Sequence, residues 1–236
     1  MKSILLALAT AGALVGGGAL AVRVAADAPQ TDVESATLHP QRIVIGLDLS
    51  RSNPLIADPA FAAKVGARVA DIVRNLGFAS EVHVRTFGNY DASSNNFAYD
   101  VVLSVRNRPD SVADDVKKLV AGIPLLVKSG KWRAQQNTNI LAFLDNVSHG
   151  IGCGGMPTTI ILASDGLEDS DYAKLYRADA QLPVPEGKPF QGCAEFEILG
   201  LGQGADSPRL TGRLRGLWSG WARKAGFSQF VGLNDW

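Results

Sequence analysis

The sequence contains few of the residues on which nucleophilic and transition-metal chemistry usually depends. Among 236 residues there are only two cysteines and three histidines. His39, His83 and His149 lie far apart along the chain, and no Ser-His-Asp or Cys-His set can be proposed from them. Cys153 and Cys193 form no CxxC pair and have no pair of histidines nearby, so a zinc site is not supported. This scarcity argues against an enzyme.

The sequence also lacks net charge. Its 23 lysines and arginines are balanced by 23 acidic residues, so composition predicts neither nucleic acid nor another polyanion as a partner. The phosphate-binding pattern GxxxxGK[ST] does not occur. Arginines and tryptophans are interleaved between residues 209 and 224, but Leu210, Leu214, Leu217 and Trp221 follow helical spacing. That stripe indicates a buried helix face with the arginines in solvent.

The start of the sequence, "MKSILLALATAGALVGGGALAV", is typical of a secretory signal. Lys2 precedes an apolar run, and small residues follow it near "VRVAADAP". We therefore expect a signal peptide at 1–28 and a periplasmic or secreted protein. The alternative is an uncleaved anchor, although residues 4–22 are barely long enough to cross a bilayer. Residues 29–41 are polar and contain proline, which predicts a linker before a single folded domain at 42–236.

An oxidising compartment favours one disulfide between Cys153 and Cys193. Closing a loop of this length contributes about 4 kcal/mol to the free energy of unfolding in the chain-entropy model. The alternative is two separate buried thiols.

Apolar segments of two kinds alternate along the domain. "RIVIGLDLS", "PTTIILASDG" and "AEFEILGLG" are apolar on successive positions, as strands buried on both faces are. The intervening segments carry apolar residues every three or four positions, and the second of them, "RPDSVADDVKKLVAGI", predicts a helix with Val112, Val116, Leu119 and Ile123 on one face. The alternation predicts an α/β fold with a doubly wound, mostly parallel sheet and helices on both faces.

One pair of segments departs from this alternation. "SEVHVRTFG" and "FAYDVVLSV" are both strand-like, and the turn-forming segment "NYDASSNN" joins them directly. The pair predicts a hairpin, and hence one antiparallel strand at the edge of the sheet.

Oxygen-bearing side chains gather where two predicted strands end. "LDLSRS" presents Asp48, Ser50 and Ser52, and "IILASDG" ends in Asp165; Thr138 stands just before the third helix. In doubly wound sheets the ligand crevice lies beyond the carboxyl ends of the strands, near the point where the strand order reverses. If the two acid-ending strands are neighbours, these five side chains converge on one spot.

Two carboxylates and three hydroxyls form an all-oxygen set, which suits Mg²⁺ first, with Mn²⁺ or Ca²⁺ possible. Because hydroxyls coordinate a cation without neutralising it, the bound metal would stay electron-deficient and attract an anion. A carboxylate from a partner protein could fill the open position, where its attraction to the metal is stronger than in bulk water.

The order Asp48-Leu-Ser50-Arg-Ser52, then Thr138, then Asp165-Gly resembles the metal-ion-dependent adhesion site of von Willebrand factor type A domains. The resemblance covers essentially the whole mature domain, because the order and spacing of the predicted elements match that α/β sandwich with its edge hairpin. It implies that Ser50, Ser52 and Thr138 are the hydroxyl ligands and that Asp48 and Asp165 act mainly through water.

The sequence therefore predicts an extracytoplasmic, metal-dependent protein-binding domain that captures a partner's Asp or Glu. We expect no catalysis, no nucleic acid, and membrane contact only through an uncleaved N-terminal segment. One alternative is a scaffold of the same fold that needs no metal. Another is a metal-assisted hydrolase or phosphotransferase, which Ser50 disfavours because it stands where the DxDx[TV] pattern has its second acid. The segment "EDSDY" at 168–172 is predicted to be a solvated loop.

Overall fold

The structure is a computed structural model that describes residues 39–89, 97–205 and 207–236. The expected signal peptide at 1–28, most of the linker and residues 90–96 of the expected hairpin turn lie outside the described residues. Within the described ranges, no helix is both long and apolar enough to span a membrane. The elements of the described part, in chain order, are β1 (Arg42–Asp48), α1 (Pro59–Arg74), β2 (Glu81–Phe87), β3 (Ala98–Val102), α2 (Pro109–Lys128), α3 (Ile140–Gly150), β4 (Thr158–Ala163), β5 (Cys193–Leu199), α4 (Pro208–Ala225) and β6 (Gln229–Leu233).

The strands of the described part form one six-stranded sheet in the order β3-β2-β1-β4-β5-β6. Every neighbouring pair is parallel except β2 and β3, which are antiparallel. The fold is therefore α/β, with a mostly parallel, doubly wound sheet and one antiparallel edge strand, and the prediction from the alternating segments is confirmed.

Helices cover both faces of the sheet because alternate residues of the central strands point to opposite sides. Ile43, Ile45 and Leu47 of β1 belong to a buried cluster with the apolar stripes of α1 and α2. Val44 belongs to a second cluster with the stripes of α3 and α4, which includes the fully buried Trp218. The uninterrupted apolar run of β1 is thus explained by burial on both faces.

The first helix begins as its sequence predicts. The Asp58 carboxylate accepts hydrogen bonds from the backbone N–H groups of Ala60 at 2.8 Å and Phe61 at 3.1 Å, and Pro59 occupies the first helical position. These contacts satisfy two of the backbone donors that a helix start leaves unpaired.

The second helix is longer than predicted. The segment predicted as this helix stops at Ile123. A proline at the next position costs a helix one hydrogen bond and crowds the preceding turn. Instead α2 continues through Pro124 to Lys128. The last turn brings Val127 against the core, and Trp132 packs there just beyond the helix. The apolar burial gained beyond Pro124 offsets the cost of including it.

A disulfide joins Cys153 to Cys193, with Cα atoms 4.9 Å apart. It connects the segment after α3 to the first residue of β5. The pairing predicted from the two isolated cysteines is confirmed, and the alternative of two separate thiols is not.

Candidate metal centre

The candidate site lies where the strand order changes direction. From β1 the chain continues to β2 on one side, and β4 is the neighbour of β1 on the other. Leu47 pairs with Ala163, so β1 and β4 end at the same level. Asp48 closes β1, and Asp165 lies two residues beyond the end of β4. The fold therefore brings both acids to the crevice where sheets of this type bind ligands.

Asp48 is fully buried, and both of its carboxylate oxygens accept hydrogen bonds. The backbone N–H of Ser50 donates to Oδ1 at 2.8 Å, and the Ser164 hydroxyl donates to Oδ2 at 2.7 Å. The carboxylate is consequently fixed in direction. It is better placed to orient a water molecule or a neighbouring ligand than to attack a substrate.

Ser50, Ser52 and Asp165 lie beside Asp48. The Ser50 and Ser52 hydroxyl oxygens are 3.4 Å apart, and the Ser52 side chain lowers the pKa of Asp165 slightly, against the larger raising effect of burial. Asp165 Oδ1 also accepts from the backbone N–H of Leu167 at 2.9 Å. Ser50 is buried, whereas Ser52 is exposed and gives the cluster its opening to solvent.

Thr138 is buried and is joined to the other segments by backbone hydrogen bonds. Its N–H donates to the Asp169 carbonyl at 3.2 Å, and its carbonyl accepts from the Asp169 N–H at 2.9 Å. Three residues earlier, the Gln135 N–H donates to the Leu49 carbonyl at 2.7 Å, and the Gln135 carbonyl accepts from the Arg51 N–H at 3.0 Å. The segment that carries Thr138 is thus paired with both acid-bearing loops.

Two residues that sequence analysis missed connect β1 to β4. The Asn53 amide donates to the backbone carbonyls of Asp48 at 3.1 Å and Ala163 at 3.0 Å. Ser164 reaches from the end of β4 to Asp48, and its hydroxyl accepts from the Gly166 N–H at 3.0 Å. Only the position of Ser164 next to Asp165 hinted at its role.

Glu168 is a third residue that sequence analysis missed, and here the prediction of a solvated loop was wrong. Glu168 is fully buried, and its Oε2 accepts from the backbone N–H groups of Ile140 at 2.8 Å and Leu141 at 3.1 Å. Its other oxygen accepts a short hydrogen bond from the Ser170 hydroxyl. Glu168 therefore caps the start of α3, two residues after Thr138, in place of the adjacent Asn139, whose side chain makes no capping bond.

The electrostatics of the site are dominated by buried acids. Burial raises the pKa of Asp48 from 3.8 to about 6. Burial, together with the charge of Asp48, raises the pKa of Asp165 from 3.8 to about 7. Burial also raises the pKa of Glu168 to about 7, against the opposing effect of its hydrogen bonds. Among the described residues, no lysine or arginine offsets these three charges.

Such a donor set fits a hard divalent cation. Within the described ranges, no three His, Cys, Asp or Glu side chains group closely enough to hold a metal ion by themselves. A cation at this position would therefore depend on hydroxyl oxygens as well as carboxylates, which suits Mg²⁺ and not zinc. Two buried acids without a cationic partner supply the negative charge that such an ion would neutralise.

Gly166 shapes the loop after Asp165. It has a φ of +76°, which other residues adopt only with strain, and a Cβ there would lie 2.5 Å from Leu201 Cδ1. The Gly166 carbonyl accepts a hydrogen bond from the Trp218 indole N–H at 2.8 Å. The loop is thus attached directly to α4.

No protein-family model matches the sequence, and no curated protein matches it. Among solved structures, BatB from Bacteroides thetaiotaomicron is similar with a TM-score of 0.48 and 16% identity over 83% of this chain and 91% of that one. An aerotolerance-related membrane protein from Bacteroides fragilis gives a TM-score of 0.46 and 16% identity over 82% of this chain and 92% of that one. The pilus adhesin SpaC from Lactobacillus rhamnosus GG gives 0.44 and 13% over 84% of this chain, which spans only 28% of that protein. Likenesses this distant carry no conclusion about function.

The raised pKa values predict that the metal-free domain loses stability as the pH rises from about 4 to 7. In this range the folded state still holds protons that the unfolded state has released, so the free energy of unfolding falls with pH by about 1.4 kcal/mol per unit for each such proton. Asp165→Asn removes one of these groups and should flatten the slope. Urea unfolding in chelator at pH 5, 6, 7 and 8 measures it. Identical slopes for the two proteins would contradict the assignment.

Removal of the Glu168 side chain should destabilise the domain. Glu168→Ala leaves the N–H groups of Ile140 and Leu141 buried without an acceptor, and we expect a loss of about 2 kcal/mol in the free energy of unfolding. Glu168→Gln keeps an amide oxygen for those two donors and is the matched control, with a smaller loss. Urea unfolding of the three proteins checks this. Equal stability of the alanine variant and the wild type would show that the cap is unimportant.

Proposed function

We propose that this chain is an extracytoplasmic protein-binding domain that holds a divalent cation, Mg²⁺ first, at Asp48, Ser50, Ser52, Thr138 and Asp165. The cation would capture a carboxylate of a protein partner. The observation that carries the proposal is the pair of buried, mutually repelling acids at the reversal of strand order, without a cationic partner among the described residues and with serine hydroxyls beside them.

Each residue has a distinct part in this proposal. The hydroxyls of Ser50, Ser52 and Thr138 would hold the ion directly, as the resemblance to metal-ion-dependent adhesion sites implies. Both oxygens of Asp48 already accept hydrogen bonds, which supports an indirect role through water. Asp165 accepts from the backbone N–H of Leu167, and the same role is proposed for it on the resemblance.

The charge balance supports capture of an acidic group. Neutral hydroxyls leave the positive charge of the ion largely uncompensated, and carboxylates that act through water compensate it less than direct ligands do. The exposed Ser52 marks the side from which a partner can approach. A partner's Asp or Glu that enters here becomes partly dehydrated, which strengthens its attraction to the metal.

The proposed activity is binding and not catalysis. A phosphotransferase of the aspartate type needs a carboxylate oxygen free to attack, and Asp48 has both oxygens engaged within the protein. The disulfide between Cys153 and Cys193 supports a periplasmic or secreted location, because such bonds persist in oxidising compartments.

Mg²⁺ should raise the melting temperature of the protein, because a ligand that binds only the folded state stabilises it. At a concentration 100-fold above its dissociation constant, the gain in unfolding free energy is about 2.7 kcal/mol. Ser52→Ala and Asp48→Ala should each reduce or abolish the gain, and chelator should reverse it. Thermal unfolding with Mg²⁺ and with chelator measures it.

Ser129→Ala is the matched control, since Ser129 is an exposed serine at the end of α2, on a different segment from the site. It should keep the full effect of Mg²⁺. The proposal fails if Mg²⁺ leaves the wild-type melting temperature unchanged, or if Mg²⁺ raises the melting temperature of Ser52→Ala as much as that of the wild type.

A further inference from the structure

A groove lies directly beside the candidate metal centre. It is a cavity of about 640 Å³ whose lining includes Lys131, Trp132 and Arg133, which follow α2, and Phe97, which precedes β3. Leu49 and Gln135 complete the side next to the site. We call this cavity the basic groove. Its size is sufficient for several amino-acid side chains.

The basic groove is continuous with the site through Gln135. The Gln135 backbone is paired with Leu49 and Arg51, which flank Ser50. With its amide oxygen turned towards Arg51, the neighbouring Gln136 accepts from both terminal nitrogens of that guanidinium, at 2.8 and 3.0 Å. Arg51, which is exposed and stands between Ser50 and Ser52 in the chain, is therefore held by the residue next to Gln135.

The charge of the basic groove is uncompensated within the described part of the chain. Lys131 and Arg133 are exposed, no acidic residue of the described ranges lines the cavity, and neither cation forms an ion pair with a described residue. The loop after Asp165 also carries Asp169 and Asp171, but Asp169 forms an ion pair with Lys174 at 3.1 Å. Lys131 and Arg133 are therefore positive charges near the site that no described residue neutralises.

Part of the lining is apolar. Trp132 and Phe97 pack with ring centroids 5.5 Å apart, and both are only partly buried. An aliphatic or aromatic stem can lie on these rings while a charged end reaches Lys131 or Arg133. The combination fits Asp and Glu side chains on a peptide better than small inorganic anions.

We propose that the basic groove binds further acidic side chains of the same partner segment whose first carboxylate is held at the metal centre. The partner is then a stretch of several Asp or Glu residues, oriented by the positive charges of the groove beside the site. This inference rests on the proposed function. It adds a second determinant of partner specificity. The cation selects one carboxylate, and the groove selects the acidic residues next to it.

Two labelled pentapeptides test the inference on the full chain. One has a single aspartate between glycines, and the other has the same aspartate between glutamates. With Mg²⁺ at low ionic strength, the wild type should bind the glutamate-flanked peptide about tenfold more tightly. The double variant K131A/R133A should lose this difference and keep its affinity for the glycine-flanked peptide. Fluorescence anisotropy measures both.

The matched control is K117A/K118A, which removes two exposed positive charges from the middle of α2, outside the groove. It should bind like the wild type, and the melting temperatures of both double variants should equal that of the wild type. Equal binding of the two peptides to the wild type overturns the groove and leaves the metal proposal standing. If both double variants lose the preference for the glutamate-flanked peptide to the same extent, the groove is likewise overturned and the metal proposal stands.

Other outcomes separate the two proposals. If the glutamate-flanked peptide binds equally well in chelator and K131A/R133A still weakens it, the groove is supported without the metal and the proposed function fails. If neither peptide binds with or without Mg²⁺, both fail. Tighter binding of a single-stranded oligonucleotide of the same charge would overturn the acidic peptide as the occupant.

Discussion

Two acidic side chains buried side by side are the constraint on which the rest of the site depends. Asp48 ends β1 and Asp165 follows β4; burial raises the pKa of both carboxyls, and the charge of Asp48 raises that of Asp165 further. A fold tolerates such a pair when hydrogen bonds satisfy the carboxylates and a cation can neutralise them. The surrounding residues supply the first condition, and the proposed divalent ion supplies the second.

The supporting residues form a connected frame. Asn53 and Ser164 hold the ends of β1 and β4 together, Glu168 anchors the start of α3 next to Thr138, and Trp218 attaches the loop after Asp165 to α4. Each of these contacts fixes the backbone of a segment that carries a proposed ligand. Preorganisation of this kind matters for metal binding, because ligands held in place lose little freedom when the ion binds.

Once the sequence predicts the strands of the sheet, it also predicts where the candidate site lies. Period and length separate buried strands from amphipathic helices, and the rule for the carboxyl ends of parallel strands then points to Asp48 and Asp165. It did not predict the roles of Asn53, Ser164 and Glu168, because their partners are distant in sequence. Glu168 caps a helix that starts 28 residues earlier, a contact that no local pattern encodes. Nor did it predict the last turn of α2, because the segment identified as that helix stops before Pro124 and the apolar burial that favours the extra turn involves residues beyond it.

Direct counting of bound metal tests the central claim most sharply. Mn²⁺ can replace Mg²⁺ at oxygen sites, and its paramagnetic resonance signal distinguishes free from bound ion. Titration of the protein should give one bound Mn²⁺ per chain, displaced by excess Mg²⁺, and this binding should be lost in Asp165→Asn. Retention of the ion by that variant, or no bound ion in the wild type, would contradict the assignment of this cluster as a metal centre.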